Sequence, residues 1–161
     1  MKKLCMLLAA MLLLTGCAAE ETFETMADVY GQQGLPEPRQ VVISIPEDAQ
    51  AVAGESGVLY LCDGYEITVE TLYAGDINAT LRQLTGFESD AMTVMETSQM
   101  GLNRYECVWT AAGEGGDMVG RAAVLSDGSY HYCVTVTGAA EEAAELQQTF
   151  RELLSSFSTG S

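Results

Sequence analysis

Apolar residues run along this chain in three rhythms. Leu4 to Leu14 is an unbroken apolar stretch behind Lys2 and Lys3. From Val41 to Val136, short segments alternate apolar and polar positions with the period of two that half-buried strands show. Toward the end, Ala143, Leu146, Phe150, Leu153 and Phe157 recur at intervals of 3, 4, 3 and 4, which puts them on one side of a helix.

These rhythms predict a specific order of elements. "VVISIP" (Val41–Pro46) reads as a short strand stopped by proline. "VLYLCDGYEITVETLY" holds two strands around Asp63-Gly64, a pair suited to the positive φ angles of a type I′ turn. Asp76 can cap a helix in which Ile77, Leu81 and Leu84 share a face and which Gly86 ends. "MTVMETSQ" and "RYECVWTA" pair across Met100–Asn103, "GEGG" turns the chain into "MVGRAAVL", and "SDGS" turns it into "YHYCVTV". A closing helix runs from about Ala139 to Phe157, with Glu141, Glu142 and Glu145 in its first turns, where the helix dipole favours negative charge. The sum is an α+β domain: a twisted antiparallel sheet made of a β-hairpin, a helix and a four-strand meander, flanked by helices. It occupies residues 40–158 as a single unit.

The N-terminal run has another character. Its eleven residues would span only about 16 Å as a helix, roughly half a bilayer core. A cationic start, an apolar middle and small residues at the exit have the build of a secretion signal. Leu14-Thr15-Gly16-Cys17 resembles the lipobox of bacterial lipoprotein precursors. That resemblance implies cleavage between Gly16 and Cys17, a diacylglyceryl group on the Cys17 thiol, and a mature chain held to the membrane by fatty acid. Residues 1–16 are then the signal peptide and 17–39 a lipidated tether, acidic at first and then "YGQQGLPEPR". Phe23, Met26 and Tyr30 could share one side of a brief helix within it. The expected location is the extracytoplasmic face of the cell membrane. Ala18 carries no retention aspartate, so an outer membrane is allowed if the host has one.

Charge sharpens the picture. Both lysines leave with the signal, and the five arginines (Arg39, Arg82, Arg104, Arg121, Arg151) against 23 acidic residues give side chains summing to −18. Such a surface repels nucleic-acid phosphates and anionic lipid headgroups. The expected partner, beyond the membrane itself, is an envelope protein or a small ligand.

A second resemblance lies in the domain. An early strand ending in "IP", a hairpin, a short helix, a meander with "SDGSYHY" and a closing "FRELLSSF" are similar to the PsbP/Mog1/DcrB-like fold. Its last helix commonly carries the Phe, Leu, Ser and Phe found here at Phe150, Leu153, Ser156 and Phe157. The members implied range from photosystem assembly proteins to Ran-binding factors and bacterial lipoproteins, and no residue of known activity carries over.

Candidate chemistry is sparse. His131, the only histidine, shares a strand face with Cys133 and Thr135, while Tyr130, Tyr132, Val134 and Val136 take the other. A small thiol-active enzyme built on Cys133 and His131 is the alternative to a non-catalytic domain. Cys62, Cys107 and Cys133 leave room for one disulfide, but three scattered cysteines make no framework and suit a core better. They also lack zinc-ligand spacing, and "GEGGD" and "SDGS" supply too few carboxylates for calcium, so no metal or cofactor is expected. Asn78-Ala79-Thr80 matches a glycosylation triplet but falls inside a helix. Tyr105, Cys107 and Trp109 share one strand parity and Tyr130 and Tyr132 another, which suggests either core or an aromatic groove between sheet and helix.

Overall fold

The computed structural model describes residues 34–113 and 116–160. Its centre is a seven-stranded, wholly antiparallel sheet in the order β2-β3-β4-β8-β7-β6-β5. The strands are β2 (Gln50–Ala53), β3 (Gly57–Leu61), β4 (Tyr65–Tyr73), β5 (Thr93–Gln99), β6 (Leu102–Gly113), β7 (Gly116–Ser126) and β8 (Tyr130–Ala139). The last four form the expected meander. Helix α1 (Ile77–Thr85) carries the chain from β4, in mid-sheet, to β5 at the far edge. Helix α2 (Ala143–Ser156) covers the opposite face. The α+β architecture thus stands as the alternation and the helical stripe predict.

Local chemistry explains α1. The Asp76 carboxylate accepts from the Asn78 amide at 3.1 Å, and Gly86, at φ 78°, closes the other end by donating its N–H to the Arg82 carbonyl. Both cap residues are legible in the sequence.

Several boundaries differ from expectation. Only Val41–Val42 of "VVISIP" forms a strand, β1. It pairs not with the sheet but with β9 (Ser158–Thr159), a strand just after α2 that the sequence does not announce. β2, whose four residues are all exposed, was not expected either. The turn at Asp63-Gly64 has positive φ at Gly64 alone, at 79°, so it is not the doubly positive type I′. The closing helix starts four residues later than Ala139, because β8 continues through Ala139 and a 3-10 turn fills Ala140–Glu142.

Two cores result, one on each face. Under α2 lie Ile67, Leu125, Tyr132, Val134 and Val136, with Leu146, Phe150, Leu153 and Phe157 of the predicted stripe; Ala143 packs at its margin. Under α1 lie Leu81, Cys107, Trp109, Ala122, Val124 and Cys133. Two of the close approaches that glycines allow seat the layers. A Cβ at Gly138 would come within 2.6 Å of Leu146, where α2 crosses β8, and one at Gly120 within 2.2 Å of the Trp109 indole on the neighbouring strand. Those bare backbones let the helix and the indole lie against the sheet.

Candidate functional site

His131 and Cys133 do lie on one face of β8, as alternation predicts, but in the interior beneath α1. His131 is 3% exposed, and its Nδ1 shares a 2.8 Å hydrogen bond with the Thr80 hydroxyl of α1. The Cys133 thiol is buried too, and it donates to the His131 backbone carbonyl rather than to the ring. Burial pushes this thiol far up from the ordinary cysteine value, with the Glu70 carboxylate adding to the effect. A thiolate is the nucleophilic form, so this environment works against thiol chemistry. Thr135, third on that face, has a buried hydroxyl with no hydrogen-bond partner among the described residues. All three cysteines among the described residues are free. Cys107 is buried, with its pKa raised to about 11 mainly by burial, whereas Cys62 is half-buried.

Burial has a measurable consequence at His131, whose pKa it holds below the usual 6.5, against a weaker opposing pull from Asp127. The folded chain refuses a proton that the unfolded chain accepts. Stability should therefore be flat above pH 7 and fall as pH drops below about 6.5, with a slope no steeper than about 1.4 kcal/mol per pH unit for one proton. Urea midpoints measured from pH 7.5 to 5.5 should show this decline, and a flat profile would contradict a buried neutral imidazole.

The aromatic residues do not gather along one groove between sheet and helix. Trp109 and Cys107 are buried beneath α1 with Tyr105 at the margin, while Tyr130 and Tyr132 are buried on the opposite face. They are core, the first of the two sequence readings. Thr80 of the Asn78-Ala79-Thr80 triplet is likewise buried.

The polar tips of two tyrosines nevertheless build something the sequence does not show. The Tyr132 hydroxyl donates to Asp127 Oδ2 at 2.8 Å and accepts the Arg39 backbone N–H at 3.0 Å. Asp127, in the "SDGS" turn, accepts from the Ser129 and Tyr130 amides through Oδ1, each at 2.8 Å. The Tyr130 hydroxyl donates to the Pro36 carbonyl at 2.9 Å, and its ring lies 5.5 Å from that of Tyr73. Burial alone would raise the Asp127 pKa, but these hydrogen bonds, with Arg39 close by, outweigh it and hold the carboxyl below its ordinary value. The network clasps residues 36–39 to the β7–β8 turn. Farther along, Ser156 Oγ accepts the Ser44 amide at 3.0 Å, so the serine of the closing motif fastens the incoming segment to the end of α2.

Beside the clasp is a cleft of about 190 Å³. Leu102 and Leu125 are among the apolar residues lining it; Arg39, Gln99 and Met100 also contribute, with residues 158–160 completing it. Met100 is 81% exposed and sits at φ 53°, in the left-handed region. Below α2, Ser44–Pro46, Tyr65 and Glu152 border a wider cleft of about 510 Å³. Both are suited to binding a side chain or small molecule; neither gathers an acid–base or nucleophile pair. Gly16 and Cys17, the expected cleavage and lipid-attachment residues, lie outside the described residues, as do Phe23, Met26 and Tyr30.

No protein family matches the chain's sequence, nor does any curated protein. Solved structures do share the fold. LpqN of Mycobacterium tuberculosis, described as involved in cell envelope biogenesis, gives a TM-score of 0.51 at 13% identity, over 85% of this chain and 98% of its own. The cyanobacterial PsbP of Synechocystis sp. PCC 6803 gives 0.53 at 11% identity, over 79% and 96%. The Ran-binding protein Mog1p of Saccharomyces cerevisiae gives 0.50 at 12% identity, over 73% and 89%. A Bacteroides thetaiotaomicron protein gives 0.52 at 12% identity over 75% of this chain, which spans only 45% of that longer one. At these identities the likeness is one of fold: the domain is PsbP/Mog1-like.

Proposed function

We propose that this chain is a bacterial lipoprotein, acylated at Cys17, whose domain is a non-catalytic binding or scaffolding module on the extracytoplasmic face of the cell membrane. The observation that carries this is Leu14-Thr15-Gly16-Cys17 at the end of an apolar run too short to cross a bilayer. Among the described residues no helix is long and apolar enough to cross a membrane; an acyl group on Cys17 would supply the attachment. The two chains of a diacyl group are sufficient for it. The non-catalytic part draws support from Cys133 and His131, both buried and each held by a partner other than the other's reactive group. LpqN, of the same fold, is described as serving the cell envelope, which favours that setting by analogy.

The test is Cys17→Ser in the full chain, expressed in a bacterial host. The unaltered chain should sediment with membranes and incorporate labelled palmitate, and the variant should lose the label entirely. A serine variant that still takes up palmitate would overturn the proposal.

A further inference from the structure

β5 is the longer edge of the sheet, and of the protections such edges usually carry it has a single charge, Glu96. The opposite edge, β2, has only four residues, whereas β5 has seven. Its pairing with β6 is unbroken from Thr93↔Val108 to Gln99↔Leu102, so no bulge turns it away, and it contains neither proline nor lysine. Alternate residues of an edge strand point their N–H and C=O groups outward. Among the described residues, no backbone bond outside the sheet takes up those of β5.

Its side chains are also uncovered. Five of its seven residues are exposed. On the α2 side, Met95 is 56% exposed, and Val108, paired with Thr93, is 40% exposed, because α2 does not reach this far across the sheet. A hollow of about 90 Å³ between Met95, Val108, Arg121 and Leu154 lies inward of the edge. Flexible thioether side chains such as Met95 and Met100 adapt to partners of varied shape.

Charge indicates the occupant. Glu96, on the α1 side of β5, and Asp90, just before the strand, have no ion-pair partner among the described residues, whereas Glu88 is matched by Arg82 and Glu106 by Arg104. Arg121, two strands inward, lies over the Phe150 ring. We propose that β5 is a docking edge for an extended cationic segment of a partner protein, which adds as an eighth strand. Its apolar side chains lie over Met95 and its basic ones face Glu96. A second copy of this chain fits poorly, since each carries a formal charge of −16. The inference rests on the domain being a binding module and does not require the lipid.

The probe is a fluorescent capped peptide alternating valine and lysine, matched in length to β5 and titrated into the full chain in detergent. Saturable binding is expected, with hydrogen-exchange protection gained over residues 93–99. A valine–glutamate peptide should bind at least about tenfold more weakly, and Glu96→Lys should weaken the lysine peptide by a similar factor. Ser98→Pro, which removes one of the N–H groups that point away from β6, should abolish binding. If that variant misfolds, Glu96→Lys with an unchanged urea midpoint decides the matter. No binding at millimolar peptide, equal affinity for both peptides, indifference to Glu96→Lys, or protection at Gln50–Ala53 would each overturn the proposal. Loss of lipid on Cys17→Ser with peptide binding intact would separate this edge from the anchoring reaction.

Discussion

Phe157→Ala should destabilise the domain by about 3–5 kcal/mol, the usual cost of emptying a large buried aromatic site. Phe157 is fully buried at 0% exposure and stands just past α2, where the chain leaves the helix for β9. Its ring fills the core that Tyr132, Leu125 and Leu153 share. Domains of this size are stable by only about 5–15 kcal/mol, so the loss is a large fraction of the whole. Urea unfolding followed by the fluorescence of Trp109, the single tryptophan, reads it directly. A loss below about 1 kcal/mol would mean that the site collapses around the missing ring.

Arg104→Met should cost about 3–5 kcal/mol, for a different reason. Arg104 is a buried arginine, 7% exposed, in a strand that packs beneath α2. Its guanidinium donates to the Leu154 carbonyl at 2.7 Å, to the Phe157 carbonyl at 3.5 Å, to Gln99 Oε1 and, through Nε, to Glu106 Oε1 at 2.6 Å. The last carbonyls of a helix have no intrahelical donor. α2 ends at Phe157, in an extended conformation, rather than at a left-handed glycine, and Arg104 supplies the missing donors from another strand, helped by Gln99 Nε2 to the Phe157 carbonyl at 3.0 Å. Methionine keeps the bulk but strands these acceptors and the Glu106 carboxylate. Arg104→Lys should recover less than half of the loss, since a point charge cannot reproduce the forked geometry. The guanidinium also lies 5.8 Å from the Phe157 ring centroid. The double variant should therefore lose less than the two single losses added, a coupling a double-mutant cycle would report.

The contrast between these two residues shows what the sequence can convey. Phe157 is legible because it ends a stripe with helical spacing. The same logic of period and punctuation yields the meander, both cap residues of α1 and the two faces of β8. Arg104 is not legible, because its role depends on α2 ending above β6, some fifty residues later. The one hint is indirect: a charge at the parity of Leu102, Glu106 and Val108 in a strand, together with a closing helix that lacks a terminal glycine. The clasp at Asp127 is hidden for the same reason. "SDGS" announces a turn, but nothing local says that Tyr132 and Arg39 will meet there. β1 and β9 are two residues each, too short for any periodicity to register.

The pairing of β4 with β8 in mid-sheet carries a kinetic consequence. Nine register pairs join Tyr65–Tyr73 to Tyr130–Gly138, so the ladder links segments separated by at least 57 residues of chain. The meander can zip from its own tight turns, while the β3–β4 hairpin must find β8 across a long loop whose closure entropy is lost before any contact compensates. Joining these two halves should be the slow event, and until it happens the rim of β8 that β4 will occupy would stand open to any other strand that reaches it first.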